Sequence, residues 1–310
     1  EFEHRMPIFS GDNMEVETWP DSNIKPLILV THDECIFSAY NRSRSLWIPY
    51  GEQPLQKKGE GRSIHVSEFL TDICGRLVLP DKMQPSDKFP REACVITYPG
   101  KNNDGWWKAE DLINQVTNHA ISIFEARFPG CQALFAFDNA TSHSAFSRNA
   151  LIANHMNLGP AGKQEKLHST SYFHKGRKYD QDMVFLSDYY ISELRGKAKG
   201  LKEVLKKRGL WPEEGLRLKE VRELISQQPD FLAQKGQLEE IIIAAGHQII
   251  FYPKFHCELN YIETFWALNS VPLLTIRQYA RKAFRYMDTY RKGLNGKAAE
   301  FAVKKYHSHR

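Results

Sequence analysis

Ala133-Leu134-Phe135-Ala136-Phe137-Asp138-Asn139 is the stretch that decides the fold, because five apolar residues in a row end in an acid and an amide. A strand that is buried on both faces of a sheet has this continuous apolar pattern. Residues 104–128, just before it, carry apolar side chains at helical spacing, and Pro129-Gly130 ends that helix. The pattern is typical of an α/β domain in which helices cover a mixed sheet.

Two further segments are predicted to join the same sheet. Leu27-Ile28-Leu29-Val30 is a short buried strand that is followed by Thr31-His32-Asp33-Glu34. The strand 248–252 is closed by Pro253, and a short helix carrying Glu263 is expected to begin near Leu259. β-rich segments between residues 46 and 98, separated by Gly and Pro, indicate antiparallel strands. We therefore predict an α/β fold with a mixed five-stranded sheet, three antiparallel strands leading, and helices on both sides.

Changes in composition along the chain predict five regions. A polar lead-in is expected over residues 1–24. The sheet domain is expected in two parts, 25–153 and 231–272. Between those parts, periodicity weakens and Lys, Arg, Gly and Tyr increase, which indicates a basic, helical insertion over 154–230. The last region, 273–310, is expected to be a basic helical tail.

Charge and cysteine usage limit the classes of function. The 310 residues carry a net charge of +5, but residues 273–310 alone contain ten Lys and Arg and only two acids. Such a segment is expected to contact phosphates, although a solvated helix face is the alternative. No run of about 18 apolar residues exists, so no membrane span is expected. Five scattered cysteines without a CxxC pair argue against a zinc cage and a disulfide framework, and indicate buried thiols in a reducing compartment.

Three acids follow or lie close to the ends of the predicted strands: Asp33, Asp138 and Glu263. Residues just beyond strand ends meet at one edge of an α/β sheet. Carboxylates that converge there repel one another unless a cation compensates them, and oxygen ligands favour magnesium or manganese. Taken singly, each acid has a plainer explanation: an Asx turn at Asp138, a turn residue at Asp33 and an exposed helical Glu at Glu263.

The neighbours of these acids carry a family resemblance. Thr31-His32-Asp33-Glu34, Phe135-Ala136-Phe137-Asp138-Asn139-Ala140 with His143, and the run 252–266 resemble the three blocks of Tc1/mariner-like DDE transposases. The most specific signal is Leu259-Asn260-x-Ile262-Glu263-x-x-Trp266 after an apolar strand. The stretches 58–69 and 286–294 are also similar to transposase-like proteins that are abundant in fungal genomes.

The resemblance implies a ribonuclease H-like fold and a nuclear enzyme that cuts and joins double-stranded DNA, working as a homodimer. It implies two Mg²⁺ (or Mn²⁺) ions, with Asp33 and Asp138 binding both and Glu263 completing one of them. Glu258 occupies the place of a family aspartate and is a weaker candidate. Residues expected to face DNA are Lys57, Lys58 and Arg62 in a Gly-interrupted loop, for which a solvated turn is the alternative, and Arg277, Arg281 and Lys282 in the tail. Asn139 and His143 are expected either to support the metal-binding acids or to face DNA, and an ordinary surface histidine is the alternative for His143.

The sequence departs from the family pattern in two places. Glu263 lies 125 positions after Asp138, whereas the family spacing is a few tens, and the insertion accounts for the excess. The helix after Trp266 is shorter than in relatives. A transposase-derived DNA-binding protein with weakened or lost catalysis is therefore one alternative, and a ribonuclease H-like nuclease without strand transfer is another.

Overall fold

The computed structural model of the protein describes residues 2–40, 59–86, 88–264 and 271–305. The chain divides into two units, one formed by Glu1–Ser144 together with Leu238–Arg310, and the other by Ala145–Gln237. The second unit extends beyond the predicted 154–230 insertion at both ends. The strand expected near residues 46–48 lies outside the described residues.

The secondary structure of the described residues is as follows. The strands are β1 (Ile8–Ser10), β2 (Val16–Thr18), β3 (Leu27–Ser38), β4 (Ser63–Thr71), β5 (Gly75–Arg76), β6 (Val95–Thr97), β7 (Gln132–Phe137), β8 (Thr170–His174), β9 (Arg177–Gln181) and β10 (Gln248–Phe251). The α-helices are α1 (Ala109–Gln115), α2 (Ile121–Arg127), α3 (Leu201–Lys207), α4 (Leu218–Ser226), α5 (Pro229–Leu232), α6 (Gln237–Ala244), α7 (Leu273–Arg291) and α8 (Gly296–Lys305).

The first unit is built on a mixed sheet with the order β10-β7-β3-β4-β5, in which β6 also pairs with β4. β3 and β10 both run parallel to β7, whereas β3 and β4 are antiparallel. This confirms a mixed α/β sheet flanked by helices, and the strand order is compatible with a ribonuclease H-like fold. The sheet has six described strands instead of the predicted five.

The additional strand arises because two short strands, β5 and β6, pair with β4 instead of one continuous edge strand. β5 pairs with Leu70 and Thr71, whereas β6 pairs with residues 65–67 at the other end of β4. The chain between them contains Pro80, Pro85 and Pro90. Proline has no N–H to donate to a ladder, so this segment cannot form one continuous edge strand.

The two faces of the sheet are buried by different helices. Ile28 and Val30 of β3 belong to a core cluster with residues of α1, α2 and α6. Leu27 and Leu29, which alternate with them, belong to a second cluster with residues of α7. This alternation confirms the two-sided burial that the apolar runs predicted. Residues 116–120 form a π-helical turn that joins α1 to α2, so the predicted helix is continuous over residues 109–127.

The predicted basic tail is helical, but it is not a separate appendage. Ile276, Ala280 and Ala283 of α7 are buried in the core of the first unit. No helix among the described residues is long and apolar enough to cross a membrane. One local expectation is wrong, because the five cysteines are free and half-buried or exposed instead of fully buried.

The second unit combines the hairpin β8–β9 with helices α3, α4 and α5, so the prediction of a purely helical insertion is corrected. Its core contains an ion pair as well as apolar side chains. Arg208 is 2% exposed and donates to both carboxylate oxygens of Asp230, at 2.8 and 2.6 Å, and to Gln181. A buried guanidinium with all these partners fixes the unit's packing.

Candidate active site

Asp33 and Asp138 lie at the same level of two neighbouring parallel strands. The register of β3 and β7 pairs Thr31 with Ala136, and each acid comes two residues later. Asp138 directly follows β7, as predicted. Asp33 lies inside β3 and not after it, because β3 continues past its pairing with β7 and stays paired with β4 up to Ser38. The two carboxylates are therefore attached to neighbouring backbone positions at the same edge of the sheet.

The segment that carries Glu263 is attached to β3 by the side chain of Asn260. Asn260 is 2% exposed, accepts a hydrogen bond from the Thr31 hydroxyl and donates one to the carbonyl of His32 at 3.2 Å. The hydroxyl of Tyr252 also donates to Thr31, at 3.3 Å. These contacts hold the segment against the strand positions that immediately precede Asp33.

The same contacts explain why the described part of the helix predicted around Glu263, up to Thr264, is not a continuous α-helix, whereas the part around Trp266 lies outside the described residues. The chain forms two short 3₁₀ turns, Cys257–Leu259 and Tyr261–Thr264, separated by Asn260. Asn260 has φ −91° and ψ 88°, which is not helical. Its side chain satisfies partners on β3, and this long-range bonding overrides the local tendency to form a continuous helix.

Replacing Asn260 with Ala is expected to lower the free energy of unfolding by about 1–2 kcal/mol, because the Thr31 hydroxyl and the His32 carbonyl lose buried partners. Urea unfolding of the variant, compared with the exposed-site control Asn23→Ala, measures the change. Equal stability of the two variants would show that Asn260 does not hold the segment in place.

The three acids influence one another electrostatically. Burial raises the pKa of Asp33 to about 7, and the negative charges of Glu263 and Asp138 add to the rise. Burial and the charge of Asp138 also raise the pKa of Glu263. By contrast, the hydrogen bond from His143 lowers the pKa of Asp138. The edge thus concentrates negative charge that a cation would neutralise.

The acids fit Mg²⁺ in charge and in ligand type, since all three supply hard oxygen donors. Among the described residues, however, only His32, Glu34 and His143 form a group of three potential ligands whose atoms all lie within 4.8 Å of one another. The three acids are therefore spread more widely than the ligands of a single ion. Two ions about 3.5–4 Å apart can be shared by acids that do not all reach one point.

Glu258 is engaged with other partners. It accepts hydrogen bonds from the ring of His256, at 2.7 Å, and from the hydroxyl of Tyr290 on α7. Although its partial burial opposes ionisation, these bonds hold its pKa below the ordinary value. Glu258 therefore ties the 3₁₀ segment to α7, and the structure gives it a positioning role next to the three acids.

A polar cluster on the other face of β3 has no counterpart in the sequence-based prediction. His32 and Glu34 alternate with Thr31 and Asp33, so they point to the side of α1. There Glu34 lies 3.5 Å from the ring of His143 and accepts a hydrogen bond from Trp107 at 2.8 Å. The alternation along β3 was the available signal, because it separates the four residues of this stretch into two faces.

The residues that were expected to face DNA differ in whether they are described and in how exposed they are. Lys57 and Lys58 lie outside the described residues, and Arg62, Arg281 and Lys282 are exposed. His143 is 4% exposed and lies 2.5 Å from Asp138, which agrees with the support role expected for it rather than with a surface position, and a contact to DNA stays a prediction.

Arg277 has a structural environment that competes with its predicted contact to phosphate. Its guanidinium donates to the carbonyls of Met14, Asp72 and Ile73 and stacks on Phe9, with 3.9 Å to the ring centroid. These bonds use most of the five N–H donors of the side chain. The prediction of a phosphate contact in this part of α7 therefore rests on Arg281 and Lys282.

Comparison with known proteins gives little further support. No family model matches the chain, and no curated protein matches it. Among solved structures, one similar chain comes from the crystal structure of the mariner Mos1 paired end complex with Mg. The two share 16% identity with a TM-score of 0.26, and the match covers 38% of this chain and 30% of that one. A likeness this limited carries no argument about activity.

Proposed function

We propose that this chain is the catalytic domain of a DDE transposase with a ribonuclease H-like fold, which cleaves DNA strands and joins them to a target. The observation that carries the proposal is the register of β3 with β7. This register places the backbone of Asp33 and of Asp138 side by side on adjacent parallel strands. Both positions lie next to the segment that Asn260 attaches to β3. The raised pKa values of Asp33 and Glu263 support a site that requires a cation.

In this proposal Asp33 and Asp138 bind both of two Mg²⁺ (or Mn²⁺) ions, and Glu263 completes the ligands of one. When bound, such ions activate the attacking oxygen and stabilise the leaving oxygen at a phosphodiester. His143 holds Asp138 through its Nδ1, 2.5 Å from a carboxylate oxygen. Asn260 and Glu258 fix the segment that carries Glu263, so its carboxylate is presented from a rigid support.

The DNA would be held by basic side chains. Arg281 and Lys282 are exposed on α7, and Arg62 is exposed just before β4. Neutralising phosphates with such residues gives affinity that falls as salt rises. A homodimer and a nuclear location follow from the family resemblance and are part of the proposal.

The proposal is tested by incubating the purified chain with supercoiled plasmid and Mg²⁺, and separately with a DNA duplex whose 3′ ends are already cut. We expect nicked plasmid in the first reaction and joined products in the second, both lost in EDTA. Binding without nicking would favour the non-catalytic DNA-binding alternative. Nicking without joining would favour a nuclease of ribonuclease H type.

A further inference from the structure

The cluster on the α1 side of β3 has the composition of a transition-metal site. One ligand atom from each of His32, Glu34 and His143 lies within 4.8 Å of the others. A tetrahedral zinc site needs ligand atoms about 3.3 Å apart, given bonds of about 2.0–2.1 Å to nitrogen. Binding would have to draw these atoms closer together. The group lies on the opposite face of β3 from Asp33.

The hydrogen bonds around His32 leave one ring nitrogen with a free lone pair. Gln115 donates through Nε2 to the carbonyls of Ser67 and Ala93, so its Oε1 is left to accept the hydroxyl proton of Ser67, at 2.7 Å. Ser67 must then accept from Nε2 of His32, at 2.8 Å. In a neutral imidazole only one nitrogen carries a proton, so a proton on Nε2 leaves Nδ1 with its lone pair.

Among the residues that the structure describes, that nitrogen has no hydrogen-bond partner, although His32 is fully buried. A buried acceptor without a donor is costly and therefore rare in folded proteins. An imidazole lone pair is also a preferred ligand of zinc and related ions. The second nitrogen of the ring is already fixed by Ser67, which is the arrangement found around metal-binding histidines.

His143 and His65 are oriented in the same way. His143 has Nδ1 2.5 Å from a carboxylate oxygen of Asp138, and its Nε2 lies 3.5 Å from Glu34. His65 has Nδ1 3.5 Å from the hydroxyl of Thr97, and its Nε2 lies 3.8 Å from Glu34. Each ring thus turns one nitrogen toward the Glu34 carboxylate and anchors the other outward.

We propose that His32, Glu34 and His143, with His65 as the fourth ligand, bind a divalent transition-metal ion of the zinc class. Three imidazoles and one carboxylate select such an ion over Mg²⁺, which prefers oxygen ligands. Nε2 of His143 already lies 3.5 Å from Glu34 Oε1, so both would face a shared ion, and any proton on that nitrogen would be released to solvent on binding. One consequence rests on the proposed function: a His143 ring held in this way would also orient Asp138, whose carboxylate oxygen lies 2.5 Å from Nδ1.

The experiment uses the full chain after chelator treatment, dialysed against Zn²⁺ in the presence of excess Mg²⁺, with bound zinc measured by elemental analysis. We expect one zinc per chain, and at least about a 100-fold loss of affinity in His143→Gln and Glu34→Gln. Replacement by Co²⁺ is expected to give the visible absorption of a tetrahedral site. His256→Gln, a histidine outside the cluster, is the matched control and should keep full affinity.

A second control replaces His307 and His309 with Gln, because histidines near the end of the chain also bind zinc. The inference is overturned if the unsubstituted chain binds no zinc under these conditions. It is also overturned if Glu34→Gln and His143→Gln bind zinc as well as His256→Gln does. Asp33→Asn separates this inference from the proposed function, since it should keep zinc while losing DNA cleavage. Cleavage by a chain that binds no zinc would overturn the zinc site alone.

Discussion

Asp138→Asn is expected to reduce Mg²⁺-dependent nicking of plasmid DNA by about a thousandfold or more, which corresponds to about 4 kcal/mol of transition-state stabilisation. Asp138 is the only one of the three acids whose pKa is lowered, so it is charged throughout the neutral range. The amide keeps the size of the side chain but removes the negative charge that would hold the ions.

The measurement is the rate of nicking at saturating Mg²⁺, with Asp81→Asn as the control because Asp81 is exposed and distant in sequence from the three acids. Circular dichroism should show that both variants fold. Full nicking by Asp138→Asn would exclude Asp138 from the metal site and remove the basis of the nuclease proposal.

Asp33→Asn is expected to stabilise the metal-free chain at pH 8 by about 2 kcal/mol. Burial first, and then the neighbouring charges, raises the pKa of Asp33 from 3.8 to about 7 in the folded chain. A rise in pKa of this size corresponds to about 4 kcal/mol of unfolding free energy in a fully buried site. About half of that is expected here, because the side chain is partly open to solvent. The stabilisation that protonated Asp33 gives is complete below pH 3.8 and is lost as the pH rises through 7.

Urea unfolding in EDTA at several pH values between 4 and 8 tests this expectation. The difference between Asp33→Asn and the unmodified chain should be small at pH 4 and should grow until about pH 7. Mg²⁺ should then stabilise the unmodified chain more than the variant, because the unmodified chain has one more negative charge for the ions to compensate. A difference that does not change with pH would mean that Asp33 is well solvated and not part of a charged cluster.

The sheet was largely predictable from the sequence because its signals are local. The apolar run 133–137 and the helical spacing before it required only neighbouring residues, and both elements are present as β7 and as α1 and α2. The local structure of the described segment around Glu263 was not predictable for the opposite reason. Its geometry depends on bonds from Asn260 to Thr31 and His32, more than 220 positions earlier in the chain.

The histidine cluster could be found only in part from the sequence. Alternation along β3 places His32 and Glu34 on one face, but nothing in the local pattern shows that His143 folds back from the turn after β7 to meet them. The burial of His143 could not be predicted for the same reason. Its ring packs against His32 and Phe137, with centroids 5.6 Å away in each case, and those contacts bury it.

The parallel pairing of β10 with β7 has a consequence for how relatives of this chain should be recognised. Phe251 is aligned with Phe137, so the chain returns to a fixed position in the sheet whatever length intervenes. Residues 145–237 can grow or shrink during evolution without moving the segment that follows β10. The number of residues between the second and third acids is therefore a poor criterion for homology. Aligning sequences by the register of their strands should recover homologues that a fixed spacing would exclude.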